Sequence, residues 1–124
     1  MNILGVDYGT KHVGLAISQD EGMPLGFMTV SETDAIHEIR RVVAENKIDA
    51  VIVGLPENAV QSDLQMRTTD EFMKRLAKAI PGVRVDSFDE TMTTKMARRY
   101  SSKVKEHQES ARIILEDWMK KNLA

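Results

Sequence analysis

The 124-residue chain contains no cysteine. That excludes disulfides, thiolate zinc sites, iron–sulfur clusters and thiol catalysis, and it fits a reducing compartment, here the expected cytoplasm. No apolar run approaches the ~20 residues needed to cross a bilayer. The opening Met1-Asn2-Ile3-Leu4-Gly5-Val6-Asp7 has no basic stretch and meets an aspartate early, so no signal peptide is expected. Charge of one sign is scarce as well. The net charge of -2 excludes a wholly basic nucleic-acid coat and leaves a local stripe as the route to any such contact. There is no P-loop, no His-Glu-x-x-His, no Gly-x-Ser-x-Gly and no dinucleotide glycine fingerprint. His12, His37 and His107 are too scattered along the chain to suggest a zinc triad.

What is present is an ordinary globule, 42% hydrophobic and 29% charged, of a length for one domain over 1–124. Residues 3–6, 13–18 and 26–30 read as three strands with short links, an antiparallel meander. The period then changes. Ala35, Ile36, Ile39, Val42 and Val43 mark a helix that Asp34 or Thr33 can cap. Residues 49–56 form a strand apolar on both faces, as at the centre of a parallel sheet. Residues 57–66 read as a loop. Phe72, Met73, Leu76, Ala77 and Ile80 mark a second helix, with Thr68 and Glu71 in capping-box spacing and Pro81-Gly82 as its stop. Residues 83–88 are a fifth strand. Met92, Met96 and Tyr100 mark a third helix, and Ala111, Ile114, Leu115, Trp118 and Met119 a final one. The eight methionines read as core filling. The expected fold is α/β: a five-stranded mixed sheet, three meander strands then parallel βαβ units, with helices on both faces.

Two acidic positions stand out. Asp7 ends the first strand between Gly5 and Gly9, where an open α/β sheet binds ligands and glycine admits close approach. A turn aspartate bonding its own backbone explains the same residue equally well. Glu90, beside Asp89, follows the fifth strand; taken alone it is better explained as a partner of the next helix dipole. Two carboxylates at strand ends begin a hard-cation site for Mg²⁺ or Mn²⁺, of the kind that serves phosphoryl displacement. Residues 91–105 carry Lys95, Arg98, Arg99, Lys103 and Lys105 and no acid. Such a stripe attracts phosphate backbones, although a solvated helix face is the commoner fate of a charge run. Lys11, next to the Asp7 turn, adds one more phosphate contact.

Asp7-Tyr8-Gly9-Thr10-Lys11-His12-Val13-Gly14-Leu15-Ala16-Ile17-Ser18 resembles the opening motif of the YqgF family of RNase H-like proteins, pre-16S rRNA nucleases and Holliday-junction resolvase homologues. Val53-Gly54-Leu55-Pro56, Asp89-Glu90-Thr91-Met92-Thr93-Thr94 and Ser110-Ala111-Arg112-Ile113-Ile114-Leu115-Glu116 resemble its later motifs, in order. The resemblance implies an RNase H-like fold and a metal-dependent nuclease acting on precursor rRNA or branched DNA, as a monomer or weak homodimer. It carries Asp7 and Glu90 over as ligands of Mg²⁺ or Mn²⁺. It makes Thr10, Lys11, Thr93, Lys95, Arg98 and Arg99 candidate nucleic-acid contacts, with Tyr8 lining the turn beside Thr10.

Three departures qualify it. His12 replaces the family's arginine, and the stretch after Pro56 lacks the family's glycines. His107 stands at the position of the family's third carboxylate. His107 is therefore the third catalytic candidate, with Glu106 as substitute, whereas Glu109 should point away around the helix. Imidazole is a poor partner for Mg²⁺, so a site biased toward Mn²⁺ or a weakened enzyme is expected. The competing reading is a binding protein that keeps the fold and has lost the chemistry. An actin-like ATPase, whose first phosphate motif Asp7-Tyr8-Gly9-Thr10 also resembles, is disfavoured because such enzymes close two domains over the nucleotide.

Overall fold

Alternation along the strands sorts side chains to two faces, and the computed structural model shows what covers each. It describes residues 1–55, 62–89 and 106–123. The strands are β1 (Ile3–Asp7), β2 (His12–Ser18), β3 (Leu25–Ser31), β4 (Ala50–Leu55) and β5 (Arg84–Asp89). They form one sheet in the order β3-β2-β1-β4-β5. β1–β2 and β2–β3 pair antiparallel; β1–β4 and β4–β5 pair parallel. The expected meander and parallel units are both present. β1 is the central strand, and β4 lies inside the sheet between β1 and β5, which explains its apolar residues on both faces.

Leu4, Val6, Val13, Leu15, Val51 and Val53 face one side. There they meet Ile39, Val42 and Val43 of α1 (Ala35–Asn46) and Phe72 and Leu76 of α2 (Ser62–Ala79). Ile3, Ala16, Ala50, Ile52 and Phe88 face the other side and meet Ala111, Ile114, Leu115 and Trp118 of α3 (Glu106–Asn122). Burying each such large apolar side chain contributes about 1.5–3 kcal/mol.

Several expectations need correction. α2 begins at Ser62, so residues 62–66 are helical and Thr68 lies inside the helix rather than capping it. Ser62, Asp63, Leu64, Gln65 and Met66 show no clear helical period, so sequence alone does not extend the helix back to Ser62. Neither Asp34 nor Thr33 caps α1 through its side chain. A short 3-10 turn, Glu32–Asp34, runs directly into the helix, and the Asp34 carboxylate accepts a bond from Ser31 Oγ at 2.9 Å instead. Among the described methionines none lies in the buried core. Met1 and Met23 are exposed, and Met28, Met73 and Met119 pack only against its margins. The third helix expected around Met92–Tyr100 and the loop over 57–61 lie outside the described residues.

At the edge remote from Asp7, Asn2 ties three segments together. Its Nδ2 donates to the carbonyls of Asn46 (3.0 Å) and Lys47 (3.2 Å), and its Oδ1 accepts from Asp20 N–H (2.8 Å). Lys47 terminates α1 in the left-handed conformation, φ 51, a position more often held by glycine.

Candidate active site at the carboxyl edge of the sheet

β1, β4 and β5 run parallel, so their carboxyl ends share one edge. Asp7 lies level with Gly54 of β4, and Gly54 with Phe88 of β5. Ligands of open α/β sheets bind outside this edge. Alternation puts Asp7 on the same face as Ile3 and Gly5, the face covered by α3.

Glycine lets α3 approach. A Cβ on Gly5 would stand 2.8 Å from the Ala111 carbonyl oxygen and from Leu115 Cβ, and one on Gly26 would stand 3.2 Å from Gln108 Cβ. A Cβ on Gly14 would overlap the His107 backbone. Gly14 is the antiparallel partner of Asp7, so the residue seated on Gly14 is carried to the Asp7 carboxylate. His107 Nδ1 lies 3.7 Å from Asp7 Oδ2. The carboxylate is nearly buried, with 13% of its side chain exposed, while the imidazole is 34% exposed. That separation is too long for a direct hydrogen bond and suits an ion pair when the imidazole is protonated.

The structure thus brings together two of the three catalytic candidates. It adds His12, whose ring centroid lies 5.5 Å from that of His107. His12 and His107 are distant in sequence and reveal their neighbourhood only through β2 and α3. His37 stays apart as an exposed residue of α1. Thr10 and Lys11 are exposed on the β1–β2 turn, beside Asp7. Tyr8 is not on the Asp7 face. It turns to the α2 side, where its ring lies 4.3 Å from that of Phe72 and its hydroxyl donates to Glu32 Oε1 at 3.1 Å. Burial and the Glu32 carboxylate push the Tyr8 phenol above its ordinary value. Glu109 points away as expected, pairing with Arg112 at 3.1 Å. Glu106 opens α3. Glu90, Thr93, Lys95, Arg98 and Arg99 lie outside the described residues.

The motif resemblance implies a divalent cation at the Asp7 edge. Among the described residues no three potential ligands converge. The Asp7–His107 pair offers one carboxylate and one imidazole. Oxygen donors suit Mg²⁺ and Mn²⁺ alike, but imidazole favours transition metals, so the pair fits Mn²⁺ better than Mg²⁺.

A five-stranded mixed sheet in this order, with helices on both faces, is an RNase H-like fold, the architecture of a class of nucleases and resolvases. Solved structures share it. Thermus thermophilus RuvC in complex with a Holliday junction substrate superposes with a TM-score of 0.66 at 16% identity, over 92% of this chain and 89% of that one. The Fowlpox virus resolvase, solved with Holliday junction DNA, gives 0.58 at 12% identity over the whole of both chains. Curated relatives are closer in sequence. A protein of Chlorobium luteolum named "Putative pre-16S rRNA nuclease" is 33% identical over 101 residues, 78% of this chain and 70% of its own. One of the same name from Christiangramia forsetii is 29% identical, over 94% of this chain and 96% of its own. The chain belongs to the RuvX Holliday junction resolvase family, which matches residues 1–121. It is a member of a nuclease family, in agreement with the resemblance read from its motifs.

Proposed function

We propose that this protein is a metal-dependent nuclease that hydrolyses phosphodiester bonds in structured nucleic acid, with the 5′ end of pre-16S rRNA as its first substrate and four-way DNA junctions as the second. The observation that carries the reading is the nearly buried Asp7 carboxylate at the carboxyl edge, 3.7 Å from His107. The names of the relatives support the substrates. Asp7 and Glu90 hold the divalent cation, with His107 as third donor. When bound, the cation supplies Lewis acidity and lowers the pKa of water, so that water can attack phosphorus at neutral pH. Lys11, Lys95, Arg98 and Arg99 bind phosphates, while Thr10 and Thr93 donate hydroxyl bonds beside them. Cleavage leaves a 5′-phosphate and a 3′-hydroxyl. The protein acts in the cytoplasm as a monomer or weak homodimer; no described helix is long and apolar enough to cross a membrane.

His107 also favours a second reading, a nucleic-acid-binding protein whose chemistry has been weakened or lost. One experiment separates the two. A labelled pre-16S rRNA end and a four-way junction are incubated with wild type, Asp7→Asn and His107→Asp, in Mg²⁺ and in Mn²⁺. Wild type is expected to cleave in Mn²⁺ more than in Mg²⁺. Asp7→Asn should lose on the order of a hundredfold or more, since even outer-shell partners of a metal cost 10–100-fold. His107→Asp should restore Mg²⁺ activity. Binding without cleavage by wild type in either metal, together with cleavage by His107→Asp, would establish the second reading.

A further inference from the structure

The β1–β2 turn carries the residues nearest the candidate site, yet it is only four residues, Tyr8 to Lys11, between two strands. Both of its ends are held by one residue, Glu32. At one end, the Tyr8 hydroxyl donates to Glu32 Oε1 at 3.1 Å. At the other, the Glu32 backbone N–H donates to the Lys11 carbonyl at 3.0 Å, extending the β2–β3 ladder one step beyond the His12–Ser31 pair. The same Oε1 accepts from Arg75 Nη2 of α2 at 3.3 Å. Arg75 in turn lies 6.0 Å over the Phe72 ring, on which Tyr8 packs. Glu32 is only 24% exposed, so its carboxylate is screened from bulk water more than Arg75, which is 57% exposed.

We propose that Glu32 is a positioning residue: with Tyr8 and Arg75 it clamps the β1–β2 turn and thereby sets the Asp7 carboxylate and the Lys11 ammonium toward the nucleic acid. The inference rests on the nuclease reading of Asp7. Tyr8 directly follows Asp7, so a fixed Tyr8 side chain restrains the backbone on the carboxyl side of Asp7, where β1 has ended. Between the clamped ends sits Gly9, where a Cβ would lie 2.6 Å from the His12 carbonyl oxygen, so the turn runs through a glycine with no side chain to anchor it. Catalytic groups must be held within about 0.5 Å, and a misplacement of about 1 Å can cost a hundredfold in rate. Glu32 supplies that restraint without touching the reacting atoms.

The test uses the full chain and compares wild type with Glu32→Gln, Glu32→Ala and Tyr8→Phe. Backbone ¹⁵N relaxation reads the turn directly. Wild type should show order parameters near 0.85 for Gly9, Thr10 and Lys11, and Glu32→Ala should drop them below about 0.6 while β4 stays rigid. Glu32→Gln, which keeps an acceptor for the phenol, should stay close to wild type; Tyr8→Phe should fall between. Mn²⁺ affinity by electron paramagnetic resonance should weaken about tenfold in Glu32→Ala, as for loss of an outer-shell support. The kcat for cleavage in saturating Mn²⁺ should fall more than KM rises. Order parameters unchanged in Glu32→Ala, reduced equally across the sheet, or lost as fully in Glu32→Gln would overturn the clamp. Should wild type neither bind Mn²⁺ nor cleave, the nuclease reading falls, and the order parameters alone still decide for or against the clamp.

Discussion

On the face covered by α1 and α2, the central strands present Leu4, Val6, Val13, Leu15, Val51 and Val53, with Phe72 and Leu76 filling the space above them. On the face covered by α3, the same strands present Gly5, Gly14, Ala16 and Ala50, with larger apolar side chains at Ile3 and Ile52. The first face gains its stability from volume: branched side chains bury apolar area and hold the helices at a distance. The second face gives up volume for proximity. α3 rests on sheet backbone at Gly5 and Gly14, and its large residue, Trp118, packs near its far end with Phe88. Arg84 lies 5.7 Å over the Trp118 ring, and Lys121 5.2 Å over that of Phe88. The difference puts the functional geometry on the face with the smaller side chains. Only there can a helix come near enough to bring His107 to Asp7.

The sharpest break of this comparison is Gly14→Val. The new side chain meets the His107 backbone, so α3 must lift from the sheet. A loss on the order of 5 kcal/mol is expected, comparable to the whole stability of a marginal domain, and urea denaturation would read it. A loss below about 1 kcal/mol would mean that α3 does not depend on the close approach.

Phe72→Ala probes the other face by removing volume. It should cost about 3–5 kcal/mol, with a cavity that the α2 face cannot close. Because Tyr8 packs on Phe72, the β1–β2 turn should loosen while the α3 face keeps its packing, a pattern that amide exchange resolves region by region.

Gly5→Ala is the milder counterpart of the first change. The added methyl presses on the Ala111 carbonyl and Leu115 at 2.8 Å, and about 1–3 kcal/mol of destabilisation is expected from the same denaturation curves. An equal effect from Leu4→Val, which shortens a side chain on the opposite face, would blur the distinction between the faces.

The smallest effect is in alkali. The Tyr8 phenol titrates above its ordinary value near 10 when folded, because burial and the Glu32 carboxylate disfavour phenolate. A raised folded value means that this contribution is fully present below the unfolded value and is lost as pH rises through the folded one. Tyr8→Phe should be less stable at neutral pH by about 0.5–1.5 kcal/mol, the worth of one hydrogen bond. It should also lose less stability than wild type between neutral pH and pH 11. Parallel pH curves for the two proteins would contradict this account.

Much of the fold was legible because the signals are local. The short apolar runs of β1 and β2 and the Ile39–Val42–Val43 stripe of α1 are patterns read within a dozen residues. The first turns of α2 were not legible, since Leu64 and Met66, two residues apart, give no helical period there. Asp7 was legible as a carboxylate at a strand end beside glycine. His107 was singled out only through the family's motif order, and His12 only as a departure from it. Tyr8, read as lining the turn beside Thr10, packs instead against Phe72 on the α2 side. A turn residue's direction depends on the strand parity before it and on Phe72, Glu32 and Arg75 from elsewhere in the chain.

The sequence by itself determined most of the described elements and the small residues at Gly5, Gly14 and Ala16, because those follow from local patterning along the chain. Only the tertiary structure decided that Gly14 would receive His107, that His12 would join it and that Glu32 would hold both ends of the Asp7 turn. Those are meetings between distant segments, set by how closely one backbone can approach another.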